Sequence, residues 1–197
     1  ILIDNGVNIP IEVTGLGLDH YDRINVDNSY KLKTKKFKLL HVSSCFPRKG
    51  IDILIKAYAC TFTIDDDVSL IIKTFRNPHN DIEEILSTCK ANNPCFPDVI
   101  LIYDDLTDSQ LKALFLQANV LVAPSRGEGF GLPIAEAMRM GVPVITTGWG
   151  GQMDFCNESN SWLIDYRFVL SSSHLKSLDS YWAEPYVEHL VIQIKKV

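Results

Sequence analysis

Short apolar runs alternate with segments of helical periodicity from residue 38 to about residue 165. The apolar runs show no polar alternation, so they predict strands that are buried on both faces. Such strands occur in parallel sheets covered by helices on each side. The pattern therefore predicts an α/β fold, a Rossmann-like doubly wound parallel sheet. The predicted strands are Leu39–Ser43, Val68–Lys73, Val99–Tyr103, Val120–Ala123, Val142–Thr146 and Trp162–Ile164, and the intervening helices are Ile51–Tyr58, Ile82–Ala91, Thr107–Ala118 and Pro133–Met140.

The two ends of the chain lie outside this alternation. Residues 1–20 contain apolar patches broken by glycines and a proline, which predicts one short strand and loops. At the other end, Glu184–Val197 has helical spacing of its apolar residues, and a proline at position 185 is suited to a first helical turn. We therefore expect one amphipathic helix at the end of the chain.

Composition limits the kinds of partner. The 197 residues carry a net charge of −5, with 46% hydrophobic and 22% charged residues. This is the profile of a globular domain, and its acidic balance argues against nucleic acid as a partner. No apolar run approaches the roughly 20 residues that a membrane-spanning helix needs. Five cysteines without a C-x-x-C spacing, and no H-E-x-x-H, predict neither a disulfide framework nor a metal site.

Ligands of open parallel sheets bind at the carboxyl ends of the strands. The turn after the first strand, Ser43–Gly50, places Arg48 and Lys49 just before a helix. Two cations beside the free N–H groups of a helix start favour an anion, although a solvated basic pair would have the same sequence. The turn lacks G-x-G-x-x-G, which disfavours NAD.

The turn after the fourth strand is rich in glycine, at positions 127, 129 and 131. Glycine lets the backbone approach a ligand and present its N–H groups, which suits a phosphate. Glu128 would repel phosphate but can accept hydrogen bonds from hydroxyls. Glu136, one turn into the next helix, could bind a diol such as ribose, or could only complement the helix dipole. Phosphate and two sets of hydroxyls together describe a sugar nucleotide.

Two further turns are candidates for the same ligand. Gly150 lies in the glycine-rich turn after the fifth strand, which either closes over the ligand or is only a tight turn. After the third strand, Tyr103 or Leu106 is placed to contact a base. The D-x-D within residues 65–67 precedes a strand, so it is expected at the opposite, amino edge and not at the site.

These motifs resemble a known family. The segment S-R-G-E-G-F-G-L-P-I-A-E-A-M-R-M-G-V-P-V-I, from position 125, is similar to the E-x7-E signature of retaining GT-B glycosyltransferases of family 4, glycosyl transferases group 1. R-K-G at 48–50, A-N-V-L-V-A-P-S at 118–125 and T-G-W-G-G at 147–151 follow in the family's order, so the likeness covers about residues 10–165. G-W-G-G-Q-M-D-F, L-I-D-Y and W-A-E-P further resemble a mannosyl- or rhamnosyltransferase subgroup.

The resemblance implies roles for individual residues. Lys49 would bind the donor diphosphate, Glu128 would contact the transferred sugar as the catalytic position, and Glu136 would hold the ribose. One departure is Ser43-Ser44, where the family has G-R; Arg48 is the candidate substitute for the missing arginine. The remaining expected donor-binding residues are Leu106, Gly129, Phe130, Gly131, Leu132 and Gly150.

The resemblance also implies a function. The chain would be the C-terminal, donor-binding domain of a GT-B enzyme, with residues 1–20 as an interdomain segment and 21–197 as the nucleotide-sugar-binding domain. It would transfer a hexose from a nucleoside-diphosphate sugar, without a metal cofactor, to a saccharide or lipid-linked acceptor held by an absent N-terminal domain. The isolated chain is therefore expected to be inactive. The expected location is the cytoplasm, with docking of the full-length enzyme at the inner face of a membrane left open. The alternatives are a non-catalytic sugar-nucleotide-binding module and a sugar-nucleotide epimerase.

Overall fold

The computed structural model describes residues 3–12, 14–172 and 180–197. Its strands are β1 Phe37–Val42, β2 Val68–Lys73, β3 Asp98–Ile102, β4 Val120–Ala123, β5 Val144–Thr147, β6 Trp162–Ile164, β7 Tyr166–Leu170 and β8 Tyr181–Pro185. Its helices are α1 His20–Arg23, α2 Ile51–Thr61, α3 Ile82–Asn92, α4 Asp108–Gln117, α5 Leu132–Arg139 and α6 Val187–Ile194. The predicted strands and helices between residues 38 and 165 are all present, with bounds shifted by at most three residues.

Six strands form one sheet in the order β3-β2-β1-β4-β5-β6, and every pairing is parallel. The strands carry no polar alternation because both faces of the sheet are covered: all residues of β4 and β5 are buried. Neighbouring residues of β1 point to opposite layers, with Leu39 in a core shared with α2 and α6, and Leu40 in a core shared with α4 and α5. The predicted α/β sheet between two helix layers is confirmed.

The order of the strands reverses between β1 and β4. The chain runs outward from β1 to β3 and returns to the other side of β1 as β4. In doubly wound sheets, the crevice for ligands lies at such a switch point, outside the carboxyl ends of the strands. The turns that follow β1 and β4 are therefore the ones that border this crevice.

Both ends of the chain differ from the sequence prediction. Residues 3–12 and 14–20 contain a 3-10 turn at Ile3–Asn5 and no strand, so the predicted strand is absent from the described part of this segment. At the other end, Glu184 and Pro185 do not begin a helix but end β8, which pairs antiparallel with β7. A proline is tolerated at the end of such a two-stranded ribbon. Only from Val187 does the predicted amphipathic helix form, as α6.

The D-x-D segment lies where it was expected, at the amino edge of the sheet. The carbonyl of Asp67 accepts a hydrogen bond from the N–H of Phe37, the first residue of β1, at 3.0 Å. The Asp66 carboxylate accepts the backbone N–H of Thr63 at 2.7 Å and so closes the turn after α2. This segment therefore has a structural part on the side away from the crevice.

Candidate functional site

A cavity of about 460 Å³ opens at the carboxyl ends of β1, β2 and β3. It collects polar side chains from the ends of these strands and from the turn before α2. Lys49 and Arg48 come from that turn, and Leu106 follows β3. This charged cavity is lined by Ser43, Ser44, Arg48, Lys49, Lys73 and Leu106, among others.

Gly50 brings the turn after β1 against the end of β4. Its φ is +67°, and a Cβ at this position would stand 2.0 Å from the carbonyl oxygen of Pro124. A side chain cannot fit there, so only glycine permits this approach. The N–H of Arg126 also donates to the carbonyl of Arg48 at 2.7 Å. The two turns that the sequence singled out are therefore joined at the backbone.

Lys49 and Glu128 meet as a consequence. Lys49 Nζ donates to Glu128 Oε1 at 2.6 Å, and their side chains are only 12% and 9% exposed. The Ser125 hydroxyl donates to the same oxygen at 2.6 Å. Charge-assisted bonds with this little solvent around them are stronger than neutral ones. Glu128 is therefore fixed in direction by two donors on Oε1.

The second oxygen of Glu128 is less occupied. Arg48 Nη1 lies 3.6 Å from Oε2 and donates its hydrogen bond to the carbonyl of Gly127 at 3.1 Å instead. Among the described residues, no hydrogen bond reaches Oε2 itself, so this oxygen retains capacity to accept a hydroxyl. Arg48 is 44% exposed along its side chain and lies at the edge of the same cavity.

The glycines of the second turn differ in their backbone surroundings and conformation. At Gly127 and Gly129, an added Cβ would meet no atom within 4 Å, so the space beside their backbone is open. Gly131 has φ +88° and forms the N-cap of α5. On the side where a Cβ would lie, no described atom is close to Gly127 or Gly129, so a ligand could approach their backbone closely from that side.

The third turn packs on the second. The N–H of Gly151 donates to the Glu128 carbonyl at 2.9 Å, and a Cβ on Gly151 would stand 1.9 Å from the carbonyl oxygen of Gly129. Gly150, with φ +123°, lies beside the backbone nitrogen of Glu128. The third turn therefore packs against the backbone of the loop that carries Glu128 and supports it.

Phe130 and Leu132 differ in their surroundings. The Phe130 ring packs against Phe155, with centroids 5.0 Å apart, and lines a separate apolar cavity of about 400 Å³. Leu132 is 45% exposed at the start of α5. The side chain of Phe130 is therefore a packing element, and only the backbone of this segment remains for a ligand.

Glu136 does not join the Lys49–Glu128 pair. Burial raises the pKa of its carboxyl, and the neighbouring hydroxyl of Tyr21, in α1, opposes that shift. Burial, and then the charge of Glu136, raises the pKa of Tyr21. Pro133, one turn earlier in α5, does line the charged cavity. Glu136 thus lies on the helix that borders the cavity, with a partner that no local sequence signal identified.

Of the two residues considered for contact with a base, Leu106 lines the cavity. The ring of Tyr103 lies instead under the Arg76 guanidinium, whose Cζ is 4.4 Å from the ring centroid. Leu106 is followed at once by α4, which begins with a capping box between Thr107 and Gln110.

Arg126 is a structural centre that the sequence argument missed. It is 5% exposed, and each of its five N–H groups has an acceptor. Nη1 donates to the Pro47 carbonyl at 2.5 Å and to Asp52 at 2.8 Å; Nη2 donates to Asp52 and Glu184, both at 2.8 Å; Nε donates to Glu184 at 2.5 Å. Its Cζ also lies 4.9 Å from the ring centroid of Trp182. Arg126 therefore joins the first turn, α2 and β8 to the loop of Glu128.

These contacts fix the charge states around Arg126. Burial alone would lower the pKa of Arg126, but hydrogen bonds and charges from Glu184 and Asp52 outweigh it and raise the pKa. For Asp52, burial opposes ionisation, yet the bidentate bond to Arg126 lowers the pKa below its ordinary value. The guanidinium has no N–H left for a ligand. Its part is to position the two turns.

His41 fixes the start of the first turn. Burial is the main cause that lowers its pKa to about 4, so the ring is neutral. Nδ1 lies 2.8 Å from the Val122 carbonyl, which can only accept, so Nδ1 carries the proton. Nε2 then accepts from the Ser43 hydroxyl at 2.7 Å. Ser43 Oγ accepts the Cys45 N–H at 3.0 Å, so the donor of this hydroxyl and one of its lone pairs are used within the protein.

The model of the family described as glycosyl transferases group 1 matches residues 22–167. This range contains every residue predicted to bind the donor. The chain belongs to the glycosyl transferases group 1 family.

Two similar proteins each match only part of this chain. The MMP α-(1→4)-mannosyltransferase of Mycolicibacterium hassiacum is 32% identical over 108 residues, which are 55% of this chain and 25% of that protein. The solved structure of Anabaena HepE in complex with UDP-glucose has a TM-score of 0.55 and 26% identity, over 65% of this chain and 34% of that one. The chain thus spans a quarter to a third of these proteins.

The C-terminal domain of a glycosyl transferase group 1 protein (LpcC) from Francisella tularensis has a TM-score of 0.61 and 18% identity. It covers 90% of this chain, which in turn covers 78% of it. This likeness shows the fold, and the predicted Rossmann-like domain of GT-B glycosyltransferases is confirmed. Within the described residues, no helix is both long and apolar enough to cross a lipid bilayer.

Proposed function

We propose that this group 1 glycosyltransferase chain is the donor-binding half of a retaining GT-B enzyme. It binds a nucleoside-diphosphate hexose and presents it for transfer to a saccharide or lipid-linked acceptor. The observation that carries the proposal is the Lys49–Glu128 pair at 2.6 Å, beside a cavity at the carboxyl edge of the sheet. The relatives support it, because one is named a mannosyltransferase and another was solved with UDP-glucose.

The cations suit the charge that develops during transfer. When the bond from sugar to diphosphate breaks, negative charge gathers on the leaving diphosphate. Lys49 and Arg48, already fixed by Glu128 and by the Gly127 carbonyl, need little rearrangement to stabilise it. Groups that are oriented in advance stabilise a transition state most effectively. In this proposal the protein's own cations supply the counter-charge, and no metal is required.

The two glutamates have different parts. Glu128 keeps one oxygen for hydroxyls of the transferred sugar, on the loop whose Gly127 and Gly129 backbone is open. Glu136, beside the Tyr21 hydroxyl, binds the ribose. The acceptor site belongs to a domain outside this chain, so the isolated chain binds donor and does not transfer sugar.

Isothermal titration calorimetry with UDP-, GDP-, ADP- and dTDP-sugars, and with the free diphosphates, tests the proposal. One nucleotide series should bind, and addition of EDTA should not change its affinity. Lys49→Ala should weaken binding by about 10- to 150-fold, since a charge-assisted contact contributes about 1.5–3 kcal/mol. Lys90→Ala, an exposed change on α3, is the matched control.

The glutamate variants separate the two roles. Glu136→Ala should weaken the diphosphate and the sugar donor alike, whereas Glu128→Ala should weaken mainly the sugar donor. Glu84→Ala, at an exposed position on α3, should affect neither. The proposal fails if no sugar nucleotide binds, and the residue roles fail if both variants bind every ligand as the wild type does. Turnover by the isolated chain would contradict the assignment of the acceptor site to another domain.

A further inference from the structure

Lys73 is the cation of the charged cavity that has no acidic partner. It is the last residue of β2, and its Nζ donates to the carbonyl of Thr74 at 2.9 Å. Lys49 and Arg48, which line the same cavity, are both within 3.6 Å of Glu128. Across residues 3–12, 14–172 and 180–197, by contrast, no carboxylate forms a salt bridge with Lys73. The Lys73 ammonium is therefore available to a negatively charged ligand in this cavity.

The position of β2 in the sheet places Lys73 between the two expected parts of a nucleotide. Lys73 is paired with Val42, and its carbonyl accepts the N–H of Ser43, at 3.1 Å. On that side lies the turn with Lys49. On the other side, β3 leads to Leu106, which lines the base end of the same cavity. The Lys73 ammonium thus lies beside the path from base to diphosphate.

The charges of the cavity become balanced only when Lys73 is included. A diphosphate esterified at both ends carries two negative charges. Lys49 and Arg48 carry two positive charges, but Glu128 neutralises one of them. Lys73 supplies the second net positive charge. Asp105 also lines the cavity, but it is exposed and lies beside Leu106, where an uncharged base is expected.

We propose that Lys73 is a further diphosphate-binding residue of the donor site, acting together with Lys49. This inference rests on the proposed function, because it assumes that the cavity holds a nucleoside diphosphate. It also accounts for the serines after β1: the Ser43 hydroxyl is used by His41, and the cation that would follow β1 is supplied from the neighbouring strand.

Calorimetry with two variants at this position tests the inference. The probe is whichever of UDP, GDP, ADP and dTDP the wild type binds most tightly, together with the matching nucleoside. Lys73→Met should weaken the diphosphate by about 10- to 150-fold and leave the nucleoside unchanged, because the nucleoside has no phosphate. Lys73→Arg should keep most of the affinity, since the charge remains. Lys90→Met is the matched control.

The salt dependence gives a second readout. An ionic contact with phosphate weakens with salt, so the affinity of Lys73→Met for the diphosphate should fall less steeply as NaCl increases than that of the wild type. If Lys73→Met does not fold, as judged by circular dichroism, Lys73→Gln carries the same expectation.

The outcomes are distinguishable. Equal diphosphate affinity of the wild type and the folded Met or Gln variant overturns the inference but leaves the proposed function intact. Equal loss for diphosphate and nucleoside also overturns it, because Lys73 would then contact the base. If the wild type binds none of the four diphosphates, the proposed function fails, and the role of Lys73 fails with it.

Discussion

Replacing Arg126 by methionine should strongly destabilise the protein. Arg126 is 5% exposed and donates all five N–H groups to Pro47, Asp52 and Glu184. Removing one partner of a buried ion pair typically costs about 3–5 kcal/mol, because the opposite charge is left uncompensated. Here the side chains of Asp52 and Glu184 are 35% and 22% exposed, so water can partly replace the guanidinium. We therefore expect the lower end, about 3 kcal/mol.

Differential scanning calorimetry measures this effect. In a domain of this size, about 1 kcal/mol shifts Tm by about 2–4 °C, so Tm should fall by about 6–12 °C. Arg139→Met is the matched control, because Arg139 pairs with Asp22 at the exposed surface, where ion pairs contribute little. Equal shifts in Tm for the two variants would refute the reasoning.

The loss of stability caused by Arg126→Met should depend on pH. The pKa of Asp52 is lowered in the folded state, so its ionised pair with Arg126 contributes stability above the unfolded pKa of 3.8. That contribution is lost as the pH falls through the folded pKa. The difference in stability between wild type and Arg126→Met should therefore narrow below about pH 3.8. A constant difference down to pH 2 would mean that packing, and not charge, causes the loss.

Two further predictions concern β1 and the turn that follows it. Gly50→Ala should destabilise the protein by at least about 2 kcal/mol in urea unfolding, because the added Cβ would stand 2.0 Å from the Pro124 carbonyl oxygen. Gly141 has a similar φ of +72° but open space around it, so Gly141→Ala measures the backbone strain alone and should destabilise the protein less. His41 binds fewer protons folded than unfolded between pH 4 and 6.5, so about 3 kcal/mol of stability should be lost as the pH falls across this window. His41→Gln should flatten that slope, and an unchanged slope would contradict the assignment.

The local pattern of the sequence determined the repeating part of the fold. Unbroken apolar runs such as Val120–Ala123 indicated strands covered on both faces, and the structure buries that strand completely. The capping box at Thr107 and the glycines of the second turn were also visible, because caps and turns depend on residues a few positions apart. These local signals were enough to place Lys49 and Glu128 at the same edge of the sheet.

Tertiary structure decided what depends on distant residues. Glu184 has helical spacing with its successors, but its bond to Arg126, 58 positions away, accompanies a strand pairing that no local period predicts. Likewise, Lys73 appeared only as the end of an apolar run, and the sequence gave no sign that Tyr21 lies near Glu136. A repeating pattern records which face of an element is buried. It carries no information on which distant polar group satisfies a buried charge, because that choice is made only when the strands are placed side by side.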